Sequence, residues 1–253
     1  DAVLSQEEKE AGVALIDIGG GTTDLAIFKD GIIRHTAVIP FGGNVITDDI
    51  KEGCSIIEKQ AELLKVKFGS AWPGENKENE IVSIPGLRGR EPKEISLKNL
   101  SKIIHARVVE IIEQVYVEIK AYGHEDPRKK LIAGIVLTGG GSQLQHIKQL
   151  VEYITGMDTR IGYPNEHLGK GRVEEVKSPT YATAVGLVLV GFHSYEFANV
   201  SNREKREILA TQKATEKNDN STSQKKGLND FFVRILEKTK GLLMDDFDDK
   251  QGY

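Results

Sequence analysis

The octapeptide Asp17-Ile18-Gly19-Gly20-Gly21-Thr22-Thr23-Asp24 follows directly on the apolar run Gly12-Val13-Ala14-Leu15-Ile16. Reversing a strand needs only about two turn residues, so three glycines and two threonines between carboxylates point to another purpose. Glycine lets the backbone adopt left-handed conformations and approach a ligand closely, and successive turn amides directed into one concavity make an anion nest. Gly19, Gly20 and Gly21 would then offer N–H donors to a polyphosphate, with the hydroxyls of Thr22 and Thr23 adding more. Asp17 would face the same anion, which is tolerable when a divalent cation or its water shell stands between them. It is also the visible candidate for orienting a hydrolytic water. A second apolar run, "LIAGIVL", leads into Thr138-Gly139-Gly140-Gly141-Ser142, a loop able to lay backbone against a flat base or ribose. One such loop can be an ordinary tight turn. Two of them, each directly behind an apolar strand, read as two walls of a nucleotide site. The pattern Gly-x-x-x-x-Gly-Lys-Ser/Thr does not occur, and "GKGR" at 169–172 lacks both its spacing and its hydroxyl residue.

The elements that must position these loops can be read from periodicity. Residues 13–18, 23–28 and 32–39 are short β-branched runs, the last two joined by Asp30-Gly31, a dipeptide suited to a two-residue hairpin. They predict an antiparallel three-stranded meander. A helical stretch ending in "LLKVKFGSA" follows, then strand-like pieces around 80–85 and 93–97 flanking "PGLRGREP". In the next segment Leu97, Leu100, Ile103, Ile104, Val108, Ile111, Ile112, Val115 and Ile119 recur at three- and four-residue spacing, which predicts one long amphipathic helix. After the loop "EDPRKK" come the apolar strand, the second glycine loop and a helix with Leu144, Ile147, Leu150 and Val151 inward. The expected fold class is α/β, with an α+β subdomain inserted between two parts of a core.

Residues 199–227 are mostly Lys, Glu, Asn, Ser, Thr and Gln, too polar to bury the surface that would offset ordering, and are expected to be a flexible linker. Beyond them, at about 100° per residue, Leu228, Phe231, Phe232, Ile235, Leu236, Leu242 and Leu243 fall within an arc of about 140°. Asp230, Arg234, Glu237, Lys238 and Lys240 occupy the other side. This is the pattern of an interfacial helix on an anionic membrane surface. A helix docked on its own domain or in a partner's groove would share the pattern, but the long polar linker argues against tight self-docking. Asp245, Asp246, Asp248 and Asp249 would have to project into solution, away from anionic lipid.

Composition excludes other classes. A net charge of −4 over 253 residues supplies no basic field for nucleic acid. Cys54 is the single cysteine, so the chain has no intramolecular disulfide and no thiolate metal cluster, as suits a reducing compartment. The longest apolar run, 181–192, is too short to span a bilayer. No pair among the six histidines has metal-ligand spacing with a carboxylate or cysteine nearby, and His105 reads as a surface or internally satisfied residue.

"DIGGGTTD" resembles the second phosphate loop of the actin, Hsp70 and sugar-kinase superfamily, and "LTGGGS" its adenosine loop. Within that group the chain is most similar to the FtsA family of actin-like bacterial cell-division proteins. The likeness includes "FGGNVITDDI", "AELLKVKFGSA", the Ile-Pro-Gly loop with "EISLKNLSKIIHARVVEII", and "SPTYATAVGL", in order over roughly residues 3–192. It implies an actin-like ATPase half: residues 1–42 and 129–198 as the nucleotide-binding core, 43–128 as the inserted subdomain, 199–227 as linker and 228–253 as the membrane-targeting tail. It also implies a first phosphate loop and a small subdomain upstream of Asp1. By motif, ATP with Mg would be held by Asp17, Gly19, Gly20, Gly21, Thr22 and Thr23 on one side and by Gly139, Gly140, Gly141 and Ser142 on the other, with Mg reaching Asp17 through water. Glu62 and Lys65, in "AExxK", match a pair that approaches ribose and adenine; on composition alone they could equally be an ion pair on a solvated helix face. Arg107 lies in the region the resemblance assigns to the C-terminal peptide of the tubulin-like FtsZ, although a lone arginine is commonly just a solvated charge. The implied function is an ATP-binding scaffold that polymerises and anchors FtsZ filaments at the cytoplasmic face of the division site, with at most weak ATPase activity. The alternatives are a sugar or acyl kinase of the same superfamily, which has no evident use for a lipid-seeking tail, and a chaperone ATPase, which expects a β-rich domain where this chain has polar sequence.

Overall fold

The computed structural model describes residues 2–75, 79–86, 91–164, 168 and 175–195. The predicted linker and tail lie outside the described residues. Asp1–His193 form one compact unit. It opens with helix α1 (Gln6–Ala11), started by a capping box in which the Ser5 side chain accepts from the Glu8 amide and the Glu8 carboxylate accepts from Ser5 N.

Three strands follow, β1 (Val13–Ile18), β2 (Thr23–Lys29) and β3 (Ile32–Ile39), paired antiparallel as the meander predicted. Asp30 and Gly31 sit at φ 56° and 77°, the two positive values that a tight hairpin matched to strand twist demands. Helices α2 (Gly43–Cys54) and α3 (Glu58–Phe68) come next, then the hairpin β4 (Ile81–Ile84) and β5 (Lys93–Ser96), and the long helix α4 (Leu97–Tyr122). The chain returns as β6 (Ile135–Thr138), α5 (Ile147–Thr155) and β7 (Thr159–Ile161), and is helical over 182–195.

The main sheet has the order β3-β2-β1-β6-β7. β6 pairs parallel with β1, placing Leu15 opposite Val136 and Asp17 opposite Thr138, and β7 pairs parallel with β6. Parallel neighbours end at the same edge, so the two glycine loops emerge side by side, where open α/β sheets form their ligand crevices.

Two boundaries differ from the sequence reading. The helical stretch after the meander is two helices, because Ser55 turns left-handed at φ 47° and ends α2. The apolar run from Leu131 becomes strand only at Ile135. Gly134, at φ 69°, breaks it and lets the backbone pass against the Asp158 carbonyl, while Leu131 still enters the core.

The core has one large cluster and a smaller one formed by Leu4, Val13 and Val136. Helix α4 buries Leu100, Ile104, Val108, Ile111, Ile112, Val115 and Ile119, the predicted stripe, against the sheet residues Ile16, Ile27 and Leu137 and against Ile46, Ile50, Leu64 and Leu150 of the other helices. Leu97 and Ile103 pack at its margin. Truncating Ile111 to Ala should lower unfolding free energy in urea by about 2–5 kcal/mol. Val117→Ala, on the same helix but 59% exposed, should change it by less than about 0.5 kcal/mol; equal losses would contradict this packing.

Candidate functional site

The turn after β1 is closed by Gly19 N–H donating to Thr22 O at 2.9 Å. The next two carbonyls are held from outside the loop. Gly19 O accepts from Gly43 N and Gly20 O from Asn44 N, each at 2.8 Å. These donors are the first two residues of α2, whose N-terminal amides lack intrahelical acceptors. The approach requires a glycine before them, since a Cβ on Gly42 would stand 2.6 Å from Gly19 O.

This contact fixes the direction of the loop's own amides. Among the described residues no peptide is cis, and in a trans peptide unit the C=O and the following N–H point opposite ways. Turning Gly19 O and Gly20 O onto α2 therefore turns the N–H groups of Gly20 and Gly21 away from it. No acceptor for either is found among the described residues.

The glycines fall into two groups. Gly139 has φ 82°, and a Cβ there would collide with the Asp17 carboxylate and stand 2.6 Å from Ile18 O; one on Gly141 would run into the Ile18 side chain. These glycines let the second loop lie against the first. Around Gly21, by contrast, a Cβ would meet nothing within 4 Å, and at Gly140 only the Thr180 hydroxyl at 3.9 Å. The fold itself does not require a bare backbone at those two positions.

Both loops border one cavity of about 410 Å3, lined by Gly19, Gly20, Gly140 and Gly141 together with Glu62 and Lys65. The predicted loops and the predicted helix pair are thus brought together. Apolar contact comes from Ile46, Val66 and Leu144, and further polar lining from Asn44, Gln143 and Thr180. Sequence reasoning assigned none of these six. The pair Gly42-Gly43 ahead of a helix was the available signal for Asn44.

Lys65 is only 11% exposed, and its ammonium donates to Glu62 Oε2 at 2.7 Å, Thr47 Oγ1 at 2.7 Å and Gly43 O at 2.8 Å. The pair is therefore not a solvated surface bridge. For Glu62, burial pushes the carboxyl pKa upward, but the hydrogen bonds from Lys65 and Thr47 and the Lys65 charge outweigh it and hold the pKa below the usual glutamate value.

Several of the predicted residues have partners within the chain. The Thr23 hydroxyl is buried and donates to Phe41 O at 2.8 Å, bracing the end of β2, and the Thr22 hydroxyl donates to Asp24 at 3.1 Å. Ser142 is buried and donates to Gly139 O at 2.8 Å, closing its own loop. Acceptors within the chain take all three hydroxyls, two of them local and one 18 residues away. Asp17 accepts from Thr183 Oγ1 at 2.8 Å and stands between the loops, outside the cavity lining. Among the described residues no group of three or more His, Cys, Asp or Glu could hold a metal ion directly. His105 donates Nδ1–H to Ala71 O at 2.8 Å, an internally satisfied residue.

Arg107 departs most from expectation. It is neither a solvated charge nor a free fork for a partner's carboxylate. Its guanidinium binds Asp49 of α2 in bidentate fashion, at 2.6 and 3.0 Å, and Glu110 at 2.6 Å. The Asp49 hydrogen bonds raise its pKa further, despite partial burial. The residue clamps α4 to the back of α2.

A sheet of order β3-β2-β1-β6-β7 carrying two glycine loops at one edge is the architecture of actin-like ATPase folds. The structure of MreB5 of Spiroplasma citri bound to ADP matches with a TM-score of 0.58 at 24% identity, over 77% of this chain and 57% of that one. The family model "Cell division protein FtsA" matches residues 14–186. Cell division protein FtsA of Pseudomonas aeruginosa is 40% identical over 190 residues, 75% of this chain and 44% of that protein. Cell division protein FtsA of Neisseria meningitidis is 42% identical over 187 residues, 74% of this chain and 44% of that protein. The chain belongs to the FtsA family, and it spans about half the length of the curated relatives it matches.

The clamp is testable by a double-mutant cycle. Arg107→Ala and Asp49→Ala should each destabilise the fold, and the double variant should lose less than their sum, with a coupling of about 0.5–3 kcal/mol. Strict additivity in urea unfolding would show that the two side chains do not act as a pair.

Proposed function

We propose that this FtsA-family chain supplies one side of an ATP site and serves a membrane-tethered, polymerising scaffold that holds FtsZ filaments at the cytoplasmic face of the division site. The observation that carries the nucleotide part is the convergence of both glycine loops with Glu62 and Lys65 on one cavity, whose volume lies within the range of about 300–1,000 Å3 usual for small-ligand pockets. The amides of Gly20 and Gly21 would take the phosphates, as the geometry of an anion nest allows. Gly140 would admit the nucleoside, with Ile46, Val66 and Leu144 as its apolar lining and Glu62 as acceptor for a ribose hydroxyl. Mg would neutralise phosphate charge, with Asp17 as its indirect partner through water. Asp17 is also the candidate for orienting a hydrolytic water, and its engagement by Thr183 accords with ATPase activity that is weak at most.

The scaffold part rests on family membership and on the sequence of the tail. Self-assembly into filaments and binding of the FtsZ C-terminal peptide belong to the protein as a whole. Because Arg107 is held by Asp49 and Glu110, we place the peptide contact elsewhere on residues 43–128. Membrane attachment is assigned to the apolar stripe from Leu228 to Leu243.

One protein preparation tests both parts. Gly21→Val adds a side chain where no protein atom stands within 4 Å, so folding should persist while affinity for a fluorescent ATP analogue with Mg falls at least about tenfold. Phe232→Glu, in the centre of the stripe, should release the protein from anionic vesicles in sedimentation, and Val233→Glu, off the stripe, should not. Unchanged nucleotide affinity in Gly21→Val would refute the site, and identical behaviour of the two tail variants would refute the tether.

A further inference from the structure

The Glu62–Lys65 pair does not stand alone. Thr47, on the inward face of α2, is a buried polar residue with 4% exposure. Its hydroxyl oxygen accepts from Lys65 Nζ at 2.7 Å, and its single proton lies within reach of Glu62 Oε2 at 2.5 Å and Gly43 O at 3.1 Å. An ammonium has three N–H donors. Those of Lys65 find Glu62 Oε2, Thr47 Oγ1 and Gly43 O, so this lysine has no donor left for a ligand. Glu62 differs: its side chain is 48% exposed and lines both the 410 Å3 cavity and the adjoining 870 Å3 groove. Gly43, which accepts from Lys65, also donates its amide to Gly19 O at 2.8 Å. A continuous set of hydrogen bonds thus runs from the Glu62 carboxylate through Lys65 and Thr47 to the first phosphate-loop carbonyl.

We propose that Thr47 is a positioning residue for nucleotide binding: with Lys65 it holds the Glu62 carboxylate aimed into the cavity and ties α3 to the N-terminus of α2, while touching no ligand itself. This rests on the reading of the cavity as an ATP site. In this arrangement Glu62 contacts the ligand and Lys65 acts through it. Lys65 is the charged group in contact with Glu62, and Glu58 and Lys59 of α3 and Asp48 of α2 line the adjoining groove with it. Thr47 is the neutral donor among them, so its removal changes the hydrogen bonding of Glu62 without changing the charge around it.

The sign of the pH effect follows. A carboxylate held below its ordinary pKa by donors stays ionised to lower pH, so losing the Thr47 donor should move the Glu62 titration upward. Nucleotide affinity, which requires the ionised acceptor, should then begin to fall at a higher pH.

The test uses the whole chain, with Mg and a fluorescent ATP analogue as the probe, in Thr47→Val and Thr47→Ser. Thr47→Val, nearly isosteric, should weaken binding about tenfold at neutral pH, shift the acid limb of the affinity profile upward, and raise the Glu62 carboxyl pKa followed by NMR without ligand. Thr47→Ser, which keeps the hydroxyl, should restore all three. An unmoved Glu62 titration in Thr47→Val overturns the proposal whether or not nucleotide binds. So does an affinity loss that Ser fails to rescue and that only tracks a fall in urea midpoint. If the Glu62 titration moves but neither Glu62→Gln nor Gly21→Val affects binding, the ATP-site reading fails and the inference falls with it. If those two variants lose affinity and Thr47→Val does not, the site stands and only the role of Thr47 is lost.

Discussion

The parallel pairing of β1 with β6 is the constraint on which the site depends. With Asp17 opposite Thr138, the strands deliver their glycine loops to one edge at one level. The loops can then lie in contact only where side chains are missing: Gly139 lies against Asp17 and Ile18, and Gly141 against Ile18. Thr183 completes the junction by donating to Asp17 from the helical segment 182–195. A register slip of one residue would turn Asp17 to the other face of the sheet and separate the loops.

A second layer of constraint orients what the first brings together. The N-terminus of α2 grips the carbonyls of Gly19 and Gly20, and by the planarity of the trans peptide this aims the amides of Gly20 and Gly21 outward. The position of α2 matters correspondingly. Its inner side packs Ile46 and Ile50 into the core on α4, its back is held through Asp49 by Arg107, and its first turn is tied to α3 by Lys65. The amphipathic stripe of α4 thus reaches the site in two steps. Burial fixes the helix, and the helix fixes the two elements that shape the phosphate loop.

Much of this was legible in the sequence because it depends on local pattern. The meander follows from β-branched runs and Asp30-Gly31, α4 from the spacing of Leu100 through Ile119, and the two loops from glycines placed after apolar strands. The pairing of Glu62 with Lys65 was legible as i,i+3 spacing, but not its depth, which comes from Thr47 and Gly43 fifteen or more residues away in sequence. What could not be read was the choice of hydrogen-bond partner. Thr22, Thr23, Ser142 and Arg107 are all residue types that serve ligands, and each is taken by an acceptor of its own chain. For Thr23 and Arg107 the competition is decided by tertiary geometry and for Thr22 and Ser142 by local turn geometry, neither of which periodicity encodes. The end of α2 at Ser55 and the late start of β6 after Gly134 were missed for a related reason: each turns on a single positive φ.

The amides of Gly20 and Gly21 are turned away from α2 and have no acceptor among the described residues, which leaves them for an external anion in the proposed site. Site-resolved amide hydrogen exchange by NMR, with and without ATP and Mg, reads the state of these amides. Exchange at Gly20 and Gly21 should be fast without nucleotide and slowed when it is added, with Gly43 and Asn44 protected in both states by their bonds to the loop carbonyls. Slow exchange at Gly20 and Gly21 in the absence of nucleotide, or exchange that nucleotide leaves unchanged although it binds elsewhere on the chain, would contradict this assignment.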